Sequence, residues 1–301
     1  MRRLAVAAGW LLAATLAPCV SSAQDNGLSP TLAAIKSSHV VRLGFRESSP
    51  PFSFLDQANR PIGYSLELCA AVVDEIGIAV DDANLRIEYV KVTSDDRIPA
   101  VVSGKIDFEC GSTTANFERR KQVAFSPLMF VAGTKLMVAR TSTVSAITDL
   151  KGKAIVVTKG TTNEQAIHAA DAKFGLRLKI VTAADHEQSY QMLAEGKVDA
   201  FATDDILLYG LIARHKADGR MKVVGDYLSY DPYGIMFRKD EPQLAAAVER
   251  AFRKLATNRD LLPLYRKWFV ARLPTGEKLN VPISPQLEES FKVLDESGTN
   301  N

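Results

Sequence analysis

Residues Gly104-Lys105-Ile106-Asp107 recur as Gly196-Lys197-Val198-Asp199, 92 positions further along the chain. Each copy follows a stretch with helical periodicity and opens a strand-like apolar run. Glycine ends a helix readily because it accepts the left-handed backbone. Eight residues past each glycine stands a polar residue, Ser112 in the first copy and Asp204 in the second. In open parallel sheets, ligands bind beyond the carboxyl ends of the strands. Two similar lobes would therefore offer polar groups at corresponding positions.

The rest of the chain alternates strand-like and helix-like runs, as α/β packing requires. In the first half, Val40–Phe45, Arg86–Val92 and Ile106–Cys110 read as strands, and Tyr64–Ile76 and Arg97–Val102 as helices. In the second, Ala154–Val157, Lys179–Val181 and Val198–Ala202 read as strands. Thr161-Thr162-Asn163-Glu164 fits a helix-capping box, and Gln188–Ala194 reads as a helix. Tyr233–Arg238 and Gly133–Val138 read as counterpart strands between the lobes, followed by helices over 242–256 and 261–269. If those last helices pack back on the first lobe, the chain crosses between lobes twice, as in a hinge. The expected division is residues 24–134 and 233–273 for lobe 1, 135–232 for lobe 2, and 274–301 for a peripheral, mostly polar tail.

Charge separates the first residues from the remainder. The chain has 301 residues, 37 Lys+Arg, 35 Asp+Glu and a formal charge of +2. Arg2 and Arg3 are the only charged residues in 1–23, and they precede an apolar run of 14 residues, Leu4–Ala17. With Ser21-Ser22-Ala23 after it, this reads as a secretory signal peptide cleaved after Ala23. The run is short of the roughly 18 residues that span a bilayer. Cys19 follows Pro18, unlike the small residue that precedes the cysteine of a lipid-anchor signal. The rest of the chain carries 35 bases and 35 acids, a balance that argues against nucleic acid as a partner. Cys69 and Cys110 would meet an oxidising compartment, where a disulfide can form. Cys69 equally reads as core filling in an apolar helix.

Motifs for enzymes are absent: no G-x-S-x-G, H-E-x-x-H, C-x-x-C, Walker loop or G-x-G-x-x-G occurs, and the four histidines show no metal spacing. No catalytic residue, metal or cofactor is expected. What stands out instead is arginine at strand ends and helix starts. Arg46 follows the first strand, Arg97 lies just after Ser94 where a helix should open, and Arg119 follows the hydroxyl-rich Ser112-Thr113-Thr114. Thr158 and Thr161 flank Gly160 at a helix start, where free N–H groups favour an anion. An arginine fork matches a carboxylate, and Asp204, an acceptor, suits an ammonium. These groups fit a zwitterion with one extra negative charge. Each also has a plainer reading: a solvated loop arginine, Thr161 or Asp204 as a helix cap, His186 as a surface histidine, Phe52 and Tyr64 as lobe 1 core.

The segments Gly44-Phe45-Arg46-Glu47-Ser48-Ser49, Thr93-Ser94, Arg97-Ile98-Pro99, Asp107 to Thr114, Glu118-Arg119, Gly160-Thr161-Thr162, Asp185-His186, Asp204-Asp205 and Tyr233-Gly234 resemble the polar amino-acid solute-binding proteins of ABC importers (family 3). The resemblance runs from about residue 32 to 270, and its Phe-Glu-Cys-Gly-Ser-Thr-Thr and Arg-Glu-Ser-Ser runs match the acidic-ligand branch. It implies the type II periplasmic-binding-protein fold, a monomer in the periplasm, and hinge closure over L-glutamate or L-aspartate followed by delivery to a membrane permease. By the same resemblance, Arg119, Thr114 and Thr161 would hold the ligand α-carboxylate, and Ser112 and Asp204 the α-ammonium. Arg46, Ser94, Arg97 and His186 would hold the side-chain carboxylate, with Thr158 lining lobe 2. Lys159 and Phe117 depart from the family pattern, and Lys159 adds a positive charge near the site that bears on glutamate against aspartate. Two rivals share the fold: a dehydratase of small carboxylic acids, and a ligand-sensing module, which is normally fused to a membrane helix not seen here.

Overall fold

A computed structural model describes residues 27–299, so the signal peptide expected over residues 1–23 lies outside the described residues. In chain order the first lobe contributes α1 (Pro30–Ser38), β1 (Val40–Phe45), β2 (Ser48–Ser49), β3 (Ser53–Leu55), β4 (Pro61–Ile62), α2 (Tyr64–Val80), β5 (Arg86–Lys91), α3 (Arg97–Ser103), β6 (Phe108–Glu109), α4 (Phe117–Arg120), β7 (Val123–Phe125) and β8 (Phe130–Ala132). The second contributes β9 (Thr134–Ala139), β10 (Ala154–Thr158), α5 (Thr162–Phe174), β11 (Lys179–Ala183), α6 (His186–Ala194), β12 (Ala200–Asp204), α7 (Asp205–Arg214) and β13 (Met221–Val224). The chain then returns through β14 (Asp231–Tyr233) to β15 (Met236–Arg238), α8 (Pro242–Thr257), α9 (Leu261–Tyr265) and α10 (Pro285–Thr299).

The two large sheets share one topology. Lobe 1 runs β5-β1-β6-β15-β7 and lobe 2 runs β11-β10-β12-β9-β13. In each, three parallel strands meet a fourth that is antiparallel and arrives from across the molecule. The sequence repeat has a structural cause. Asp107 N–H donates to the Arg42 carbonyl (2.9 Å) while its carboxylate accepts from Arg42 N–H (2.7 Å). Asp199 does the same to Ala154, at 2.8 and 2.9 Å. Each aspartate thus clamps β1 or β10, the middle one of the three parallel strands in its lobe. Gly104 and Gly196 turn the chain into that clamp at φ of 74° and 70°, where an L side chain would be strained.

The lobes are joined by β8 and β14, an antiparallel pair with Phe130 opposite Tyr233. This places the hinge differently from the sequence reading. Residues 134–138 of the expected strand lie in the lobe 2 sheet as part of β9, and the expected strand 233–238 breaks into β14 and β15. The break has a local cause: Ile235 N–H donates to Ser126 Oγ (2.9 Å) and Gly234 N–H to the Thr113 carbonyl (3.2 Å), diverting both from a continuous ladder. Phe52, Phe130, Tyr233 and Phe269 pack edge-on or stacked beneath the hinge. Phe52 and Tyr64 are wholly buried in lobe 1.

The segment from 274 to 299 is not merely peripheral. It carries α10, whose Leu287 and Phe291 enter the lobe 1 core beside Leu244, Val248 and Phe252 of α8. Those α8 residues recur at helical spacing and form one apolar stripe. Cys69 on α2 and Cys110 after β6 form a disulfide that spans 41 positions. Closing a loop of that size restricts the unfolded chain by roughly 4 kcal/mol in the chain-entropy treatment. The Cys69→Ser, Cys110→Ser double variant is accordingly expected to unfold at lower urea, with a loss of about 2–4 kcal/mol. An unchanged midpoint would show that the bridge adds nothing.

Candidate functional site

Every residue expected to contact a ligand is buried, and the strand ends and helix starts bring them to the junction of the lobes. On the lobe 1 side, Arg46 follows β1, Ser94 precedes α3, and Arg97 is the first residue of α3. Arg46 and Arg97 are 1% and 2% exposed, so the loop-arginine reading does not apply. Neither terminal nitrogen of Arg46, nor Arg97 Nε, nor Ser94 Oγ has a hydrogen-bond partner within the protein. Such atoms are costly to bury unpaired. Burial pushes Arg46 down to about 10, helped by the neighbouring charge of Arg97, which still leaves it cationic at neutral pH. Burial lowers Arg97 as well.

Arg119 closes the other end of the lobe 1 face. It lies in α4, whose N-cap Asn116 accepts from Arg119 N–H at 2.9 Å. Its guanidinium donates to the Thr114 carbonyl of lobe 1 (2.9 Å) and to the Gly160 carbonyl of lobe 2 (3.3 Å), spanning the junction. Burial, then the charge of Arg97, pushes it down to about 9. Ser112 and Thr114 are buried on the same side.

Lobe 2 meets this face with the start of α5. Thr161 is its N-cap: the hydroxyl accepts from Glu164 N–H (3.1 Å) and donates to the Thr158 carbonyl (2.7 Å). The Glu164 carboxylate reaches back one residue further than a standard capping box, to Gly160 N–H at 2.9 Å. Gly160 itself has φ +75°, and a Cβ there would lie 2.7 Å from Asp95 Cα of lobe 1. Only glycine lets the lobes approach so closely. Lys159 beside it turns outward and pairs with Asp95 across the lobes, Nζ to Oδ2 2.9 Å, with both side chains exposed. Its charge is therefore met at the rim by lobe 1.

His186 is 2% exposed, not a surface histidine. Thr158 Oγ1 lies 2.8 Å from its Nδ1 and 2.9 Å from Ser189 Oγ, which leaves Nε2 for any partner outside the protein. Burial, then the charges of Arg46 and Arg97, holds its pKa well below the usual value, so the ring is neutral. Asp204 ends β12 without capping α7. Instead its Oδ1 accepts from Asn163 Nδ2 (2.8 Å) and its Oδ2 from the Tyr233 hydroxyl. Burial, then the charge of Asp231, pushes this carboxyl up to about 7.

Several residues at the junction were not singled out from the sequence. Glu109 is wholly buried, with Oε2 accepting from Thr113 Oγ1 (2.6 Å) and Oε1 unpartnered. Its charge opposes those of Arg46, Arg97 and Arg119. Asn163 and Tyr233 hold Asp204, and Asp231 lies at the hinge. Asn163 sits in the expected capping box and Glu109 in the expected strand, but neither spacing marks them as facing the site.

Two lobes of one topology, a two-strand hinge, and buried arginines facing a carboxylate across the junction define a hinged two-lobed binding protein. The chain belongs to the bacterial extracellular solute-binding proteins, family 3, whose sequence profile matches residues 41–271. It is 39% identical to the L-glutamate/L-aspartate-binding protein of Pseudomonas aeruginosa, covering 87% of each chain. It is 35% identical to a glutamate/aspartate import solute-binding protein of Salmonella typhimurium, covering 90% of each. Among solved structures it is similar to an ancestral arginine-binding protein bound to arginine, with TM-score 0.69 and 29% identity over 77% of this chain and 98% of that one. It is also similar to an ancestral amino acid-binding protein that is a precursor of cyclohexadienyl dehydratase, with TM-score 0.68 and 28% identity over 79% and 99%.

Proposed function

We propose that this chain is exported, loses its signal after Ala23, captures L-glutamate or L-aspartate between its lobes, and delivers it as a monomer to the membrane permease of an ABC importer. The observation that carries this reading is the set of buried, partnerless donors: both terminal nitrogens of Arg46, Nε of Arg97 and Ser94 Oγ. Donors of that number and charge suit a carboxylate. Beside them, Arg119, with Thr114 and the N-terminus of α5 at Thr161, suits a second carboxylate. Asp204 with Ser112 suits an ammonium, and the neutral His186 and Thr158 complete the side-chain end. The named binding activities of the two curated relatives agree with this ligand class.

In this reading the chain binds and releases its ligand unchanged, in keeping with the two curated relatives, both of which are named for binding. Thermal-shift measurement against L-glutamate, L-aspartate, L-glutamine, L-asparagine, L-histidine, L-arginine and prephenate tests the reading. L-glutamate and L-aspartate are expected to give the largest stabilisation, as ligand that binds only the folded state must. Stabilisation by arginine alone, or consumption of prephenate, would replace it.

A further inference from the structure

Asp231 stands on the second hinge strand, is 1% exposed, and has no part in the ligand contacts proposed above. Its Oδ1 accepts two hydroxyl protons, from Thr114 Oγ1 at 3.0 Å and from Thr162 Oγ1 at 2.8 Å, and the two hydroxyls are 3.2 Å apart. Its Oδ2 accepts from Ser229 Oγ, which also meets the Thr134 hydroxyl of β9 at 2.7 Å. The three donors are anchored differently. Thr114 is fixed to the hinge strand by its own bridge to Tyr233, reinforced by Ala115 N–H donating to the Pro232 carbonyl at 2.7 Å. Ser229 precedes the same strand. Thr162 alone is carried by the start of α5 in lobe 2, directly after the capping residue Thr161.

We propose that Asp231 is a positioning residue that couples ligand capture to hinge closure, a proposal that rests on the function given above. A carboxylate held at the start of α5 brings the Thr162 hydroxyl onto the Asp231–Thr114 pair. When the lobes part, that hydroxyl exchanges its charge-assisted bond for water, while Thr114 and Ser229 keep theirs. The Thr162 bond therefore stabilises only the closed form, and charge-assisted bonds are about twice as strong as neutral ones. An interaction present in one of two states shifts their balance toward that state.

The test compares Thr162→Val with Thr162→Ser in the full mature chain, by stopped-flow fluorescence with L-glutamate and by melting without ligand. Thr162→Val is expected to release glutamate about tenfold faster, with an unchanged association rate and an unchanged ligand-free melting temperature. Thr162→Ser, which keeps the hydroxyl, is expected to match the wild type. Wild-type release from Thr162→Val would overturn the coupling. So would an equal fall in ligand-free melting temperature, which a purely structural bond would give, or a tenfold change in Thr162→Ser as well. A wild-type chain that bound neither acidic amino acid would instead remove the functional reading, and this proposal with it.

Discussion

Arg119→Ala is expected to weaken L-glutamate binding at least roughly 30-fold, because truncating one partner of a buried charged contact costs about 2–5 kcal/mol. Arg119 is the residue whose guanidinium reaches carbonyls of both lobes, so its loss removes a proposed carboxylate contact and an interlobe tie together. Calorimetry on the folded variant measures the change, and circular dichroism checks the fold. Wild-type affinity in Arg119→Ala would move the α-carboxylate site elsewhere. Lysine restores the charge but not the planar fork, so Arg119→Lys is expected to recover only part of the affinity.

The second large effect is on pH dependence. Burial raises the Asp204 carboxyl from 3.8 to about 7 in the ligand-free protein. An ammonium pairs with its ionised form, so below pH 7 a proton must leave before the ligand is held. Affinity is therefore expected to be highest above pH 7 and to fall toward lower pH, approaching tenfold per unit. The stability of the ligand-free fold runs the other way. A group whose pKa is raised by folding contributes stability that is fully present below about 3.8 and is lost as the pH rises through about 7. The stabilisation given by ligand should thus grow with pH. Calorimetry between pH 5.5 and 8 at constant ionic strength measures the slope. Asp204→Asn is expected to abolish that slope and to bind at least roughly 30-fold more weakly at pH 8. A flat profile in the wild type would remove Asp204 as the ammonium partner.

Much of the fold was legible because its signals are local. Gly104 and Gly196 end helices, and Asp107 and Asp199 follow them at one spacing because both make the same two-bond clamp on the middle parallel strand of their lobe. The arginines were legible as residue types at strand ends, but their burial was not. A sequence does not show that Arg46 and Arg97 are all but wholly buried. Non-local geometry accounts for the rest. The hinge fell to β8 rather than to residues 133–138 because β9 pairs with β12, a contact across more than sixty residues of chain. Glu109 escaped notice because β6 is only two residues long, too short for alternation to say which way its side chain faces. Helix α10 did carry a signal: Pro285 at its start, and Leu287, Phe291 and Leu294 at helical spacing. Its many polar residues hid that stripe.

Lys159 shows how structure changes a charge argument. Read by position alone, its ammonium bears on the choice between glutamate and aspartate. Paired with the exposed Asp95 across the lobes, it acts at the rim, where ion pairs contribute about 0–1 kcal/mol. The choice of ligand length then falls to Arg46, Arg97, Ser94 and His186, the residues proposed at the side-chain end.

The central claim is that buried arginines select a second carboxylate, and the most direct measurement is a calorimetric comparison of L-glutamate with L-glutamine on the mature protein. The two ligands differ only in whether the side chain carries the charge that Arg46 and Arg97 are proposed to meet. L-glutamate is expected to bind at least roughly 30-fold more tightly, about the 2–5 kcal/mol of a buried charged contact, and this preference is expected to collapse in Arg46→Ala and Arg97→Ala. Equal affinity for the two ligands in the wild type, or an undiminished preference in both variants, would contradict the account.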